Sequence, residues 1–210
     1  MRATIPPTSP LDRLGETASL PVGTAGHWHA YRPFPNLPGR NDRQGTLEVP
    51  LLVRALGLPR GGRILELGCG RGIALPVLHR LLHPTRLVGI DMDVRVLTEA
   101  RERASAAATP VELLHGDARC MPLADRSFDL VLDFGTCYHI SYPELALREV
   151  ARVLAPGGIL VEETRISQLL SHPLRSFGRR IPWRRVSGLR RARWRVLWSA
   201  YVTTAELAFG

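Results

Sequence analysis

Apolar positions along the chain switch between two periods. Short apolar runs within 63–67, 87–91, 111–118, 128–134 and 159–163 read as strands, the third taken together with its exit. Between them the spacing becomes helical. Leu75, Val77, Leu78, Leu81 and Leu82 mark a helix over roughly 72–82, with Pro76 in the first turn, where a missing N–H is tolerated. Val94, Leu97 and Ala100 mark a helix over 94–107 that Asp93 caps, and Leu145, Leu147, Val150, Ala151 and Leu154 mark another over 144–154. Leu47, Leu51, Leu52, Ala55 and Leu56 predict a first helix over 46–58, capped by Thr46 and ended by Gly57 with Pro59. Strands that alternate with helices and carry few polar positions predict an α/β fold, with an open, doubly wound, mostly parallel sheet and helices on both faces.

The two ends read differently. Residues 1–45, rich in proline and glycine, predict loop and short helical pieces that form an N-terminal cap segment. The central domain is expected over 46–164 and a C-terminal segment over 165–210. Within the latter, Trp194, Val196, Trp198, Ala200 and Val202 alternate along one side of 190–202, as in an antiparallel strand. Only residues 203–210 remain for a last strand, so the sheet is expected to lack a strand or to carry a shortened or displaced antiparallel hairpin.

Composition narrows the class. The chain has 210 residues and is 45% hydrophobic, enough for one α/β core. Its longest apolar run falls short of the ~18 residues that span a bilayer, and residues 1–10 lack the apolar stretch of a secretory signal. Cys69, Cys120 and Cys137 are odd in number and scattered, which suggests reduced thiols in a cytoplasmic protein. All 28 basic residues are arginine. Residues 1–164 carry 18 arginines against 18 acids, whereas 165–210 carry 10 arginines against Glu206 alone. The whole net charge of +9 therefore sits at the C-terminal end, interleaved with Trp183, Trp194 and Trp198. Such a surface suits peripheral contact with an anionic membrane. Nucleic-acid phosphates are a less favoured partner, and a solvated face is the plain alternative.

The candidate chemistry begins at Glu66-Leu67-Gly68-Cys69-Gly70-Arg71-Gly72, between a strand and a helix. Strand, glycine loop and helix form a nucleotide-type cofactor site, because glycines permit positive φ and let the backbone approach a ligand. A dinucleotide fingerprint requires a third glycine at position 73, which here is Ile73, so a nicotinamide cofactor is disfavoured. Asp91 follows nineteen residues after Gly72, at the end of its strand, where a carboxylate can accept from both ribose hydroxyls.

The E-x-G-x-G-x-G string at 66–72 resembles motif I of the class I S-adenosylmethionine (SAM)-dependent methyltransferases, Rossmann-like transferases of the small-molecule, type 11 kind. Gly116-Asp117-Ala118, Pro122–Asp129 and the string around Leu154-Ala155-Pro156-Gly157-Gly158 resemble further motifs of that family in the same order. The resemblance covers 46–163. It implies that Glu66, Gly68, Cys69, Gly70, Gly72, Asp91, Met92, Asp117 and Ala118 bind SAM. In that reading Asp91 takes the ribose, Met92 packs on adenine, and Asp117 and the Ala118 N–H read the adenine edge. It places acceptor-side residues at Tyr138 and His139, and His139 either takes a proton from the acceptor or only shapes the pocket. The N-terminal stretch with His27, Trp28 and Tyr31 either lines that pocket or packs the segment onto the domain. His27 and His29 lack an evident third ligand, so no metal is expected. The implied activity is methyl transfer to a small-molecule or lipid-like acceptor. The alternatives are a SAM-fold scaffold without catalysis, and a methyltransferase acting on RNA or protein.

Overall fold

A computed structural model describes residues 37–137, 140 and 142–162, and the backbone of 192–196 and 203–207. Among them, seven strands form one sheet: β1 (Arg63–Leu67), β2 (Arg86–Asp91), β3 (Glu112–His115), β4 (Phe128–Asp133), β5 (Leu154–Glu162), β6 (Ala192–Val196) and β7 (Thr203–Leu207). Their order is β3-β2-β1-β4-β5-β7-β6. The first five run parallel to one another, and β7 runs antiparallel to both β5 and β6. The sheet carries a short antiparallel hairpin, β6 and β7 of five residues each, with Ala192 opposite Leu207 and Glu162 opposite Thr203. Five residues are enough for a last strand, so the expected loss or displacement of that edge does not occur.

The apolar runs look continuous because both faces of the sheet are covered, and side chains still alternate. Leu65, Leu67, Val88, Ile90, Val131 and Leu160 face one side, against Ala146, Leu147, Val150 and Val153 of α5 (Pro143–Val153). Ile64, Leu87, Leu130, Leu132 and Val161 face the other. There they meet α2 (Val49–Leu56), α3 (Leu75–Leu82) and α4 (Val94–Ala106).

The first helical segment departs from its prediction. It starts at Leu37 as α1 (Leu37–Arg43), passes through a π-helical turn (Gln44–Glu48) and continues into α2. The boundary expected at 45/46 falls inside it. Thr46 is no cap: its Oγ1 donates to the Asp42 carbonyl 2.8 Å away, one turn back. Packing explains the extension. Gln44 is buried and accepts from Arg40 Nη1 at 2.9 Å, and a Cβ on Gly45 would sit 3.5 Å from Ile73 Cγ2, beside the glycine loop. Gly57 ends α2 as expected, in the left-handed region at φ 59°.

Other boundaries moved for local reasons. Helix α3 begins at Leu75, because Gly72 has φ 68° and cannot belong to a helix. Strand β5 begins at Leu154, before the expected Ile159. It pairs Leu154 with Phe128, bulges through Ala155–Gly158, and resumes with Ile159 opposite Leu130. Asp93 caps α4 as predicted and accepts from the Arg95 N–H at 2.9 Å. The stretch from Met121 to Asp125 is tied to α5. Buried Glu149 accepts from the Met121 N–H at 2.7 Å, and Arg152 donates to the Leu123 carbonyl at 2.6 Å.

Candidate active site

The carboxyl ends of β1, β2, β4 and β5 lie side by side, where ligands bind in open α/β sheets. The glycine loop leaves β1 there, with Gly68, Gly70 and Gly72 all at positive φ. Their roles differ. A Cβ on Gly68 would lie 1.9 Å from Thr136 Oγ1, so this glycine admits the loop after β4, whose Thr136 hydroxyl donates to the Leu67 carbonyl at 2.9 Å. A Cβ on Gly72 would meet Ala100 of α4 at 2.9 Å. Gly70 alone has open space, with no heavy atom within 4 Å of the added Cβ. The cradle is thus at Gly70, and its two neighbours serve packing.

Asp91 holds this loop. It is 4% exposed, and its Oδ2 accepts from the Gly70 N–H at 2.8 Å while its Oδ1 accepts from the Asp93 N–H at 2.9 Å. Burial raises its carboxyl above the ordinary value, and these two N–H donors oppose the rise. Each oxygen keeps a further lone pair for a ligand. Cys69 is placed in the core: its thiol would touch a Cβ on Gly89 at 2.9 Å, its N–H donates to the Ile90 carbonyl, and its carbonyl accepts from Gly72. Burial pushes the thiol up, so it is inert.

Glu66 is 3% exposed, and its Oε2 finds no hydrogen-bond partner among the described residues. Burial, then the nearby Asp91 and Asp133, raise it well above the ordinary carboxylate value. A raised acid holds its proton more tightly in the folded than in the unfolded chain. Stability therefore falls as pH rises from the ordinary value toward the folded one. Glu66→Gln removes that dependence. The melting temperature of the variant, measured against the parent, is expected to gain as pH rises above the ordinary carboxylate range; a pH-independent difference would refute a raised Glu66.

Asp117 turns back on its own loop. Arg119, itself buried, donates from its backbone N–H at 2.8 Å and from Nε at 2.9 Å to Asp117 Oδ1, and Nη2 bonds Oδ2. Burial works against the Asp117 charge, but Arg119 outweighs it and holds the carboxyl below its usual range. Ala118 is buried and Met92 half-buried, and the Met92 carbonyl lies 3.1 Å from His115 Nε2.

Among matches to known families, a methyltransferase-domain model fits residues 65–161. Residues 65–161 are a class I SAM-dependent methyltransferase domain. The chain is 37% identical over 98 residues to a fatty-acid O-methyltransferase of Mycolicibacterium smegmatis, an alignment covering 47% of this chain and 35% of the relative. It is 33% identical over 141 residues to a demethylmenaquinone methyltransferase of Staphylococcus aureus, covering 62% and 58%. The chain thus spans less than two thirds of the curated relatives it matches. The PH0226 protein of Pyrococcus horikoshii OT3 superposes with a TM-score of 0.65 at 23% identity, covering 85% of this chain and 98% of that one, and it shares the fold.

The methyltransferase domain implies SAM as its cofactor, and the cradle fits it. The open space at Gly70 admits a ligand against the backbone, and the unpartnered Glu66 oxygen suits a cationic group. Asp91 holds the Gly70 N–H beside that space, Glu66 neighbours Asp91, and Gly68 and Gly72 flank Gly70 in the loop. Tyr138, His139, His27, Trp28 and Tyr31 lie outside the described residues.

Three contributors escaped the sequence reading: Asp133, Glu162 and Arg119. Asp133 is 1% exposed and accepts from the N–H groups of Gly135 at 2.9 Å, Thr136 and Cys137 at 3.0 Å, which caps the turn after β4. Glu162, 2% exposed, is its neighbour across β4 and β5. The signal was a carboxylate closing each apolar run, Leu130-Val131-Leu132-Asp133 and Leu160-Val161-Glu162, the same signal that marked Asp91.

Proposed function

We propose that the chain transfers the methyl group of SAM to a small-molecule or lipid-like acceptor. The open cradle at Gly70, clamped by Asp91 within a methyltransferase domain, is the observation that carries this reading. When bound, SAM supplies a methyl group already activated by a positively charged sulfur. The Gly68–Gly72 backbone would hold it, Asp91 would accept from the ribose hydroxyls, Met92 would lie on the adenine face, and Asp117 with the Ala118 N–H would read the adenine edge. The buried carboxyl of Glu66 would face its cationic end. The chain's own part in the reaction is to orient a nucleophile in line with the methyl carbon and to exclude water. His139 either accepts the acceptor's proton or shapes the pocket, with Tyr138 beside it and His27, Trp28 and Tyr31 lining the acceptor side.

The names of the two curated relatives favour a lipid-like acceptor. The arginine-rich, tryptophan-bearing sequence after residue 164 supports peripheral contact with an anionic membrane on the cytoplasmic side, where such an acceptor would be presented. Among the described residues no helix is long and apolar enough to cross a membrane. The test is release of S-adenosylhomocysteine from labelled SAM in the presence of fatty-acid and quinone pools. Acceptor-dependent release is expected; SAM binding without release for any pool would move the reading to a scaffold. Release with RNA or protein alone would move the acceptor class.

A further inference from the structure

We propose that Asp133, Cys137 and Glu162 form a binding site for a divalent metal ion of the zinc class. One carboxylate oxygen from each acid and the Cys137 sulfur all lie within 4.8 Å of one another. The three come from elements the fold holds rigidly. Asp133 and Glu162 end adjacent parallel strands in direct register, and Cys137 is folded back over Asp133 by the turn that follows β4. All three are buried.

The Asp133 carboxylate is already oriented by three backbone N–H donors, as the outer-shell partners of a ligating carboxylate orient it. Glu162 supplies the observation that points to a ligand: its carboxylate forms one corner of the triangle, and its buried Oε2 has no hydrogen-bond partner among the described residues. Burial raises both Glu162 and Cys137, and neighbouring charges add to it, Asp133 on Glu162 and both acids on Cys137. Buried like charges require a proton or a cation to neutralise them. The Cys137 thiol already donates to the Asp133 carboxylate; with that proton displaced, two carboxylates and a thiolate are a donor set for zinc.

With Zn–S near ~2.3 Å and Zn–O near ~2.1 Å, tetrahedral ligands lie roughly 3.3–3.7 Å apart. An edge as long as 4.8 Å would need to contract by about 1.1–1.5 Å, which side-chain rotation supplies. A thiolate selects zinc or cobalt over magnesium. The site uses none of the residues assigned to SAM, although Asp133 neighbours Glu66.

The test uses the full chain, stripped with a chelator and titrated with Co2+. A cobalt–thiolate charge-transfer band is expected. Cys137→Ser should abolish it, while Cys69→Ser and Cys120→Ser retain it. Glu162→Gln should weaken Co2+ binding at least about tenfold, the loss of one ligand. Zn2+ should raise the melting temperature, and Mg2+ at the same concentration should not. Absence of the band, its survival in Cys137→Ser, or an equal response to Mg2+ would overturn the site. If Cys137→Ser does not fold, Glu162→Gln decides: unchanged Co2+ affinity in that variant also overturns it. SAM binding, followed by calorimetry in the same stripped chain, reports on the methyltransferase reading separately.

Discussion

Gly70→Val is expected to reduce SAM affinity at least about a hundredfold in a chain that still folds. The added side chain would meet no heavy atom of the chain itself within 4 Å of its Cβ, so it enters open space. In the methyltransferase reading that space belongs to the cofactor. The cost to folding comes from the backbone, since φ is 52° and a β-branched residue is disfavoured there. About 1–3 kcal/mol of stability should be lost on that account. Gly70→Ala separates the two effects, with similar strain and a smaller obstruction. Calorimetry with SAM and a thermal melt of each variant make the comparison. A folded Gly70→Val chain that binds SAM normally would remove the cradle from the site. Valine at Gly68 or Gly72 should instead damage the fold, because its Cβ would collide with Thr136 or Ala100.

Asp91→Ala is expected to weaken SAM binding by about 1.5–3 kcal/mol, roughly ten- to more than a hundredfold. Two losses contribute. The ribose hydroxyls lose their acceptor, and the Gly70 and Asp93 N–H groups lose the carboxylate that fixes the loop. Asp91→Asn divides them, since it keeps the shape and one acceptor oxygen but loses the charge. Asn leaves one of the two loop N–H groups without an acceptor, so if Asp91 only holds the loop, affinity and melting temperature should fall together. If it also binds ribose, affinity should fall well beyond what the change in stability explains. Unchanged SAM affinity in Asp91→Ala would refute both roles.

The local rules written in the chain settled most of the architecture. Apolar runs of strand length separated by helical spacing gave five parallel strands, because covering both faces leaves no polar alternation to confuse the period. Asp93 was legible as a cap because capping reaches only two or three residues along the chain. The glycine spacing and Asp91 were legible because a loop that receives a cofactor needs particular residue types at fixed offsets.

Features made by distant partners were not legible. The division of labour among Gly68, Gly70 and Gly72 depends on Thr136 and Ala100, which approach from other elements. The start of the first helix at Leu37 rests on packing: Pro38 and Gly39 are poor helix formers, and Gly45 is accepted because it lies against Ile73. Arg119 sits only two residues from Asp117, yet its pairing requires the loop to fold back and bury the guanidinium. Asp133 and Glu162 are 29 positions apart and carry no mutual signal in the sequence; the parallel register of β4 and β5 makes them neighbours. Strand pairing is non-local, and a sheet gathers charges at its carboxyl edge that the order of residues keeps apart. The residue types were therefore determined by the sequence, and the buried carboxyl cluster by the tertiary structure.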